Sequence, residues 1–144
     1  MSQTSTGLSA QERAAVKQRA KELREQEKAG KNREAGTAAV RQAIEKLSGT
    51  DRETGEGLYR VVSDVAAHLV PKTYYGMPGW ANDAGKIVVF LRPADKFGER
   101  YATIGFEDRA ALDDGDIWPV AFAVPAWTPA VEAKVADLVR VASR

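Results

Sequence analysis

Gly85-Lys86-Ile87-Val88-Val89-Phe90-Leu91, followed across the polar loop 92–100 by Tyr101-Ala102-Thr103-Ile104-Gly105-Phe106, decides the fold. The first run is apolar, β-branched and unbroken, the pattern of a strand covered on both faces. In the second, Ala102, Ile104 and Phe106 alternate with Tyr101, Thr103 and Gly105, as in a strand with one buried face. Together they predict an antiparallel hairpin with a long connection. Downstream, Trp118, Val120, Phe122 and Val124 share one face, with small Ala121 and Ala123 on the other. Pro119 cannot donate to a ladder, so this strand is expected at a sheet edge or beginning at Pro119. Its small face is where a helix is expected to approach.

Helices flank these strands. Leu58, Val61, Val62, Val65 and Leu69 recur at helical spacing and predict a helix capped by Asp51 and ended by Pro71. Thr128 and Pro129 read as N-cap and first helical residue of a C-terminal helix whose stripe is Val131, Val135, Leu138, Val139 and Ala142. Glu107 to Asp114 has helical composition, with Gly115 as its C-terminal glycine. At the front, Ser9-Ala10-Gln11-Glu12 is a capping box, and Arg13 to Lys28 are nearly all strong helix formers. The apolar stripe of that helix is thin: Val16, Ala20 and Leu23. Such a helix either lies on the body through the stripe or projects into solvent. Gly30 and Gly36 bracket a polar break at Lys31 to Ala35, and a second helix is expected from Thr37 to Leu47, stopped by Ser48-Gly49-Thr50. Strands among helices, without regular βαβ alternation, predict an α+β fold. The expected architecture is a compact antiparallel sheet packed by an amphipathic helix before it and a C-terminal helix after it. A helical arm, residues 1–48, precedes a domain at residues 51–144.

Composition separates the same two regions. All eleven aromatics lie between Tyr59 and Trp127, and all six prolines between Pro71 and Pro129. Residues 1–52 carry 11 Lys/Arg against 7 Asp/Glu, and the remainder 10 against 13, so a net +1 is a basic front set against an acidic body. With no Cys, disulfides, thiolate metal sites and Cys nucleophiles are excluded; with one His, two-imidazole sites are excluded too. No apolar run approaches the roughly 20 residues needed to span a bilayer, and the first residues hold no apolar leader core, so a cytoplasmic protein without a membrane partner is expected.

Four groups of residues invite chemistry. In Tyr74-Tyr75-Gly76-Met77-Pro78-Gly79-Trp80, two glycines and a proline among large side chains make a shaped turn. Tyr75, Met77, Trp80 and the more distant Trp118 are candidates to line a small-molecule pocket, or else to close the core. Glu107, Asp108, Asp113, Asp114 and Asp116 supply oxygen ligands for a hard cation or iron, although the spacing is not that of an EF-hand and a solvated acidic turn is the favoured reading. His68 lacks a second imidazole and is expected to cap helix carbonyls. The basic arm, with Lys17, Arg19, Lys21, Arg24, Lys28, Lys31 and Arg33, is interleaved with glutamates and has no aromatic to stack on a base, so nucleic-acid binding is disfavoured. Glu27 and Lys31 stand four apart in the favourable order for a solvated ion pair. The arm is instead a candidate for a protein partner or for self-association through Val16, Ala20 and Leu23. No phosphate-loop, dinucleotide or nucleophile-elbow motif occurs, and no enzymatic role is expected.

From Leu58 onward the chain resembles the YdhG-like family of bacterial domains. The resemblance is carried by Pro71-Lys-Thr-Tyr-Tyr-Gly-Met-Pro-Gly-Trp80, Gly85 to Leu91, Tyr101 to Phe106, and Leu112-Asp-Asp-Gly-Asp-Ile-Trp-Pro-Val-Ala-Phe122. It covers about three-fifths of the sequence, in order. It implies a compact α+β domain without a catalytic motif. One branch is described as a frataxin-type intracellular iron chaperone, so the resemblance also implies iron as a cofactor or cargo. That role would rest on carboxylates near Asp113 and Asp114.

Overall fold

The computed structural model describes residues 8–29 and 33–144, with side chains at the first helix described up to Glu25. Gly30 and Lys31 of the expected break, the side chain of Lys28 and the Glu27–Lys31 pair therefore lie outside the described residues. Where the break is described it is corrected, since Arg33 to Ala35 open a helix that runs to Glu45 rather than from Thr37 to Leu47. The elements run α1 (Ala10–Ala29), α2 (Arg33–Glu45), α3 (Gly49–Val65), β1 (Val70–Pro71), β2 (Gly79–Ala81), β3 (Ile87–Arg92), β4 (Ala102–Phe106), β5 (Ala121–Val124) and α4 (Pro129–Ala142). The strands form one antiparallel sheet in chain order, β1-β2-β3-β4-β5, so the fold is α+β. Among the described residues, no helix is long and apolar enough to cross a membrane.

Register separates the sheet's two faces. Trp80, Val89 and Phe106 stand opposite one another across β2, β3 and β4, and Leu91, Ile104 and Phe122 across β3, β4 and β5. These residues, joined by Ala102 and Val124, form the core face against α2, α3 and α4. Val40 and Ile44 of α2 lie in the same core, so the segment that composition groups with the arm is packed into the body. Trp80 is 1% exposed and meets Tyr59 of α3 edge-on, with centroids 6.3 Å apart. On the opposite face, Phe90 lies over Gly105 of β4, where a Cβ would collide with its ring.

Several expectations are corrected. Glu107 to Asp114 forms turns rather than a helix. Two backbone bonds fold it back instead: Ala110 N–H donates to Glu107 and Ala111 N–H to Ala142 of α4. The Ala121/Ala123 face of β5 is exposed, and it is the large-residue side, Phe122 and Val124, that meets the helices. Helix α3 begins after Ser48 and ends at Val65, well before Pro71. Asp51 does not cap it: its buried carboxylate accepts from the amides of Ala94 (2.9 Å) and Asp95 (3.0 Å) and ties the β3–β4 loop to the helix. Pro71 belongs to β1, and Leu69 reaches the core from the segment beyond the helix. β1 and β2, with two and three residues, are too short for periodicity to announce.

Other readings hold. Thr128 Oγ1 accepts from Val131 N–H with Pro129 at the helix start, and β5 is an edge strand that begins just after Pro119. Ser9 and Glu12 bond reciprocally, Ser9 N–H to Oε1 at 2.9 Å and Glu12 N–H to Ser9 Oγ at 3.0 Å.

Candidate functional site

β1 and β2 are joined by a hairpin whose tip is Tyr75-Gly76. Tyr74 and Met77 exchange both backbone bonds at 2.8 Å, leaving two residues to reverse the chain. Both have positive φ, 53° at Tyr75 and 80° at Gly76, the geometry of a type I′ turn. Glycine adopts this region freely; tyrosine does so at a cost of order 1 kcal/mol. The turn's own bonds leave the Gly76 amide without an intra-hairpin acceptor. It donates instead to Glu22 Oε2 of α1 at 2.7 Å.

Around that bond the side chains converge from four elements. Arg19 of α1 holds its guanidinium over the rings of Tyr74 and Tyr75, 5.1 and 5.6 Å from their centroids. The two rings pack edge-on at 4.8 Å, and Tyr74 also rests on Phe90 of β3 at 5.3 Å. Tyr74 donates its hydroxyl to Glu107 Oε2 at 2.6 Å; burial and that carboxylate push the phenol well above its ordinary range. Lys96, from the loop anchored by Asp51, brings its ammonium to within 2.7 Å of where a Cβ on residue 76 would stand, and the φ of 80° there favours glycine in its own right. Burial pulls Lys96 below the usual lysine range, while the charge of Glu22 acts the other way. Lys72 is also lowered by burial, with the charge of Arg19 adding to the effect; it donates to Gly85 O at 2.9 Å.

Glu22 itself is 4% exposed. Its second oxygen, Oε1, has no hydrogen-bond partner, and Arg19 Nη1 stands 3.8 Å away, beyond bonding distance. A buried charged acceptor without its second hydrogen bond is costly and calls for a physical explanation. Helix α1 thus lies on the body through Ala15, Arg19 and Glu22, not through its apolar stripe: Val16 and Leu23 are 52% and 50% exposed. The helix is turned by one residue, about 100°, from the orientation the stripe predicts. Two small contributions from Val16 and Leu23 are outweighed by a charge-assisted bond and a guanidinium stacked on two rings.

The sequence-predicted pocket residues are not brought together. Trp80 is in the core, Met77 is buried at the hairpin's return, Tyr75 lies under Arg19 beside α1, and Trp118 is half-buried in the segment leading to β5. Of the acidic group, Glu107 binds Tyr74, while Asp108, Asp113, Asp114 and Asp116 are exposed. Among the described residues, no three His, Asp or Glu side chains converge as a metal cage. His68 Nε2 donates to the carbonyl of Ser143 (2.8 Å), so the imidazole caps α4 rather than its own helix. Two open grooves run along α3, about 520 Å³ against α2 and about 580 Å³ against α4. Several of their polar groups are partnered within the protein: Arg60 binds Glu132 at 2.7 Å, Trp127 Nε1 donates to the same oxygen, and Arg41 covers Tyr59.

Arg19 enters the sequence reading only as one cation of the basic arm, and Glu22 and Lys96 are not singled out, because all three look like ordinary surface charge. Positions 15, 18, 19 and 22 do share a helical face, but a polar stripe is invisible to hydrophobic periodicity. No family model matches this chain, and no curated protein or solved structure matches it either.

Proposed function

We propose that this protein is a non-enzymatic, YdhG-like binding domain whose ligand surface is the tip of the β1–β2 hairpin. The observation that carries the reading is Tyr75, a large aromatic held at φ 53° where glycine or asparagine would cost less. The strain presents its ring beside Tyr74 and next to a backbone amide and two cations, the convergence of apolar wall and few polar groups that a small-ligand site requires. The iron version would rest on Asp113 and Asp114, which are exposed and separate from the tip, so the geometry favours the hairpin over the acidic loop.

The test is an amide NMR titration of the parent and of Tyr75→Asn with metabolite-sized acids, amines and neutral aromatics. Saturable shifts confined to the tip, and lost in Tyr75→Asn while its melting temperature stays near the parent's, support the reading. A panel that moves no tip amide, or moves it equally in both proteins, contradicts it.

A second reading is self-association through the arm. It is favoured by the exposure of Val16 and Leu23 on a flank of α1, about 100° round from its contacts with the body. Sedimentation of the parent against Val16→Asp/Leu23→Asp decides it: concentration-dependent dimerisation lost in the variant supports it, and a monomer throughout removes it.

A further inference from the structure

We infer that the hairpin tip is a receptor for an organic carboxylate, and that Glu22 is an internal occupant which such a ligand displaces. The inference rests on the proposed binding role of the tip and adds the class of ligand and the way it is admitted.

Three observations point to a carboxylate. The Gly76 amide is left free by its own turn and already holds a carboxylate oxygen at 2.7 Å. Lys96 and Arg19 place two cations around the same spot, one close to the Gly76 α-carbon and one over the tyrosine rings. Tyr74, Tyr75 and Phe90 supply an apolar surface beside it, suited to the carbon skeleton of the ligand. Amide, cations and rings are the complement of an acid with a hydrophobic body.

Two further observations say that Glu22 fills the site imperfectly. Its Oε1 is buried without a hydrogen-bond partner, and its one printed contact is the long ion pair to Arg19 Nη1 at 3.8 Å. Glu22 holds the Gly76 N–H and makes no hydrogen bond to Lys96, although its charge is felt there; an untethered carboxylate can take Gly76 N–H and the ammonium together. The helix that carries Glu22 also holds on lightly, with its apolar stripe turned to solvent, which places it among the elements that open most readily. Glu22 competes through proximity rather than fit. An attached group acts at an effective concentration in the millimolar range, and a site open for only a fraction of the time binds weaker by that fraction. Removing Glu22 abolishes the competition.

The experiment is an amide NMR titration of the full chain, comparing parent, Glu22→Ala and Glu22→Ala/Lys96→Ala. The probes are acetate, phenylacetate, the neutral phenylacetamide, inorganic phosphate, and N-acetyl-glutamate amide as surrogate for an acidic peptide side chain. Phenylacetate is expected to move the Gly76 resonance saturably in Glu22→Ala, with apparent affinity at least about tenfold above the parent, and to fail when Lys96 is also removed. Binding of the glutamate amide at equal or greater strength assigns the natural source to an acidic peptide; preference for phenylacetate assigns it to a small acid. If Glu22→Ala does not fold, Glu22→Gln, a neutral and weaker occupant, must show the same gain to a smaller degree. Equal binding of phenylacetamide, or phosphate binding more tightly than any carboxylate, overturns the ligand class while leaving the tip as the binding surface. No shift at Gly76 with any probe overturns the inference and the proposed site together.

Discussion

Replacing Asp51 with Ala removes a buried side chain that ties the Lys96 loop to the helical layer. The carboxylate is 4% exposed and accepts from two consecutive amides, Ala94 at 2.9 Å and Asp95 at 3.0 Å. A hydrogen bond to a charged group contributes about 1.5–3 kcal/mol, and each amide left without an acceptor costs about 1–3 kcal/mol unless water reaches it. Both amides are only part-buried, so water recovers some of the loss, and a net cost of about 3 kcal/mol follows for Asp51→Ala. For a chain of this length that corresponds to a fall in melting temperature of roughly 10 °C. Asp51→Asn keeps one acceptor but turns an NH2 toward the other amide, so it should fall between, nearer the alanine variant. Urea unfolding measures both, with the slope unchanged because the folded and unfolded surfaces are the same. A midpoint shift equivalent to less than about 0.5 kcal/mol for Asp51→Ala would refute the anchoring role and, with it, the account of how Lys96 is positioned.

Gly57 of α3 lies under the Trp127 indole, where a Cβ would collide with the ring. Gly57→Ala is therefore expected to destabilise by about 1–3 kcal/mol despite a helix-propensity gain of about 1 kcal/mol; a more stable variant in urea unfolding would contradict this. The Ser9 amide and hydroxyl hold the Glu12 carboxyl below its ordinary value of 4.5. A depressed acid stabilises above its unfolded pKa and loses that contribution as pH falls through the folded value. The first turn of α1 should therefore fray as pH falls through and below the ordinary carboxylate range, seen as loss of amide protection at Arg13, and Glu12→Ala should show the loss already at neutral pH. Tyr74 is shifted in the opposite sense: its raised phenol keeps its proton in the folded protein while the unfolded chain ionises near 10, so stability declines as pH rises above that value. Tyr74→Phe should flatten that alkaline decline in thermal melts.

The parts of the fold that periodicity carries were legible in the sequence. Ile87–Arg92 is unbroken because both faces of β3 are covered, and Ala102–Phe106 alternates because Gly105 and Thr103 face away from the core. The caps at Ser9 and Thr128 were legible because they depend on residues three apart. Where the reading failed, long-range contacts decided the outcome. The composition of Glu107–Asp114 favours a helix, yet Glu107 is drawn to Tyr74 and Ala111 N–H to α4. Asp51 looks like a cap until the β3–β4 loop is folded over it. The site was half legible: the Tyr74–Trp80 stretch stood out, but its partners Arg19, Glu22 and Lys96 are charged residues far away in the sequence, and nothing local distinguishes them from solvated neighbours. The orientation of α1 was missed for the same reason, since one charge-assisted bond to the hairpin outweighs a thin apolar stripe.

The bond from Gly76 N–H to Glu22 is the point on which the account turns, and native-state amide exchange at Gly76 measures it directly. In the parent the amide should be protected, and in Glu22→Ala it should exchange at least about tenfold faster, the factor that corresponds to a charge-assisted bond of about 1.5 kcal/mol or more. The Tyr74 and Met77 amides, which bond to each other's carbonyls within the hairpin, should be unchanged. An unprotected Gly76 in the parent, or Tyr74 and Met77 accelerating together with it, would contradict the docking of α1 on the hairpin tip.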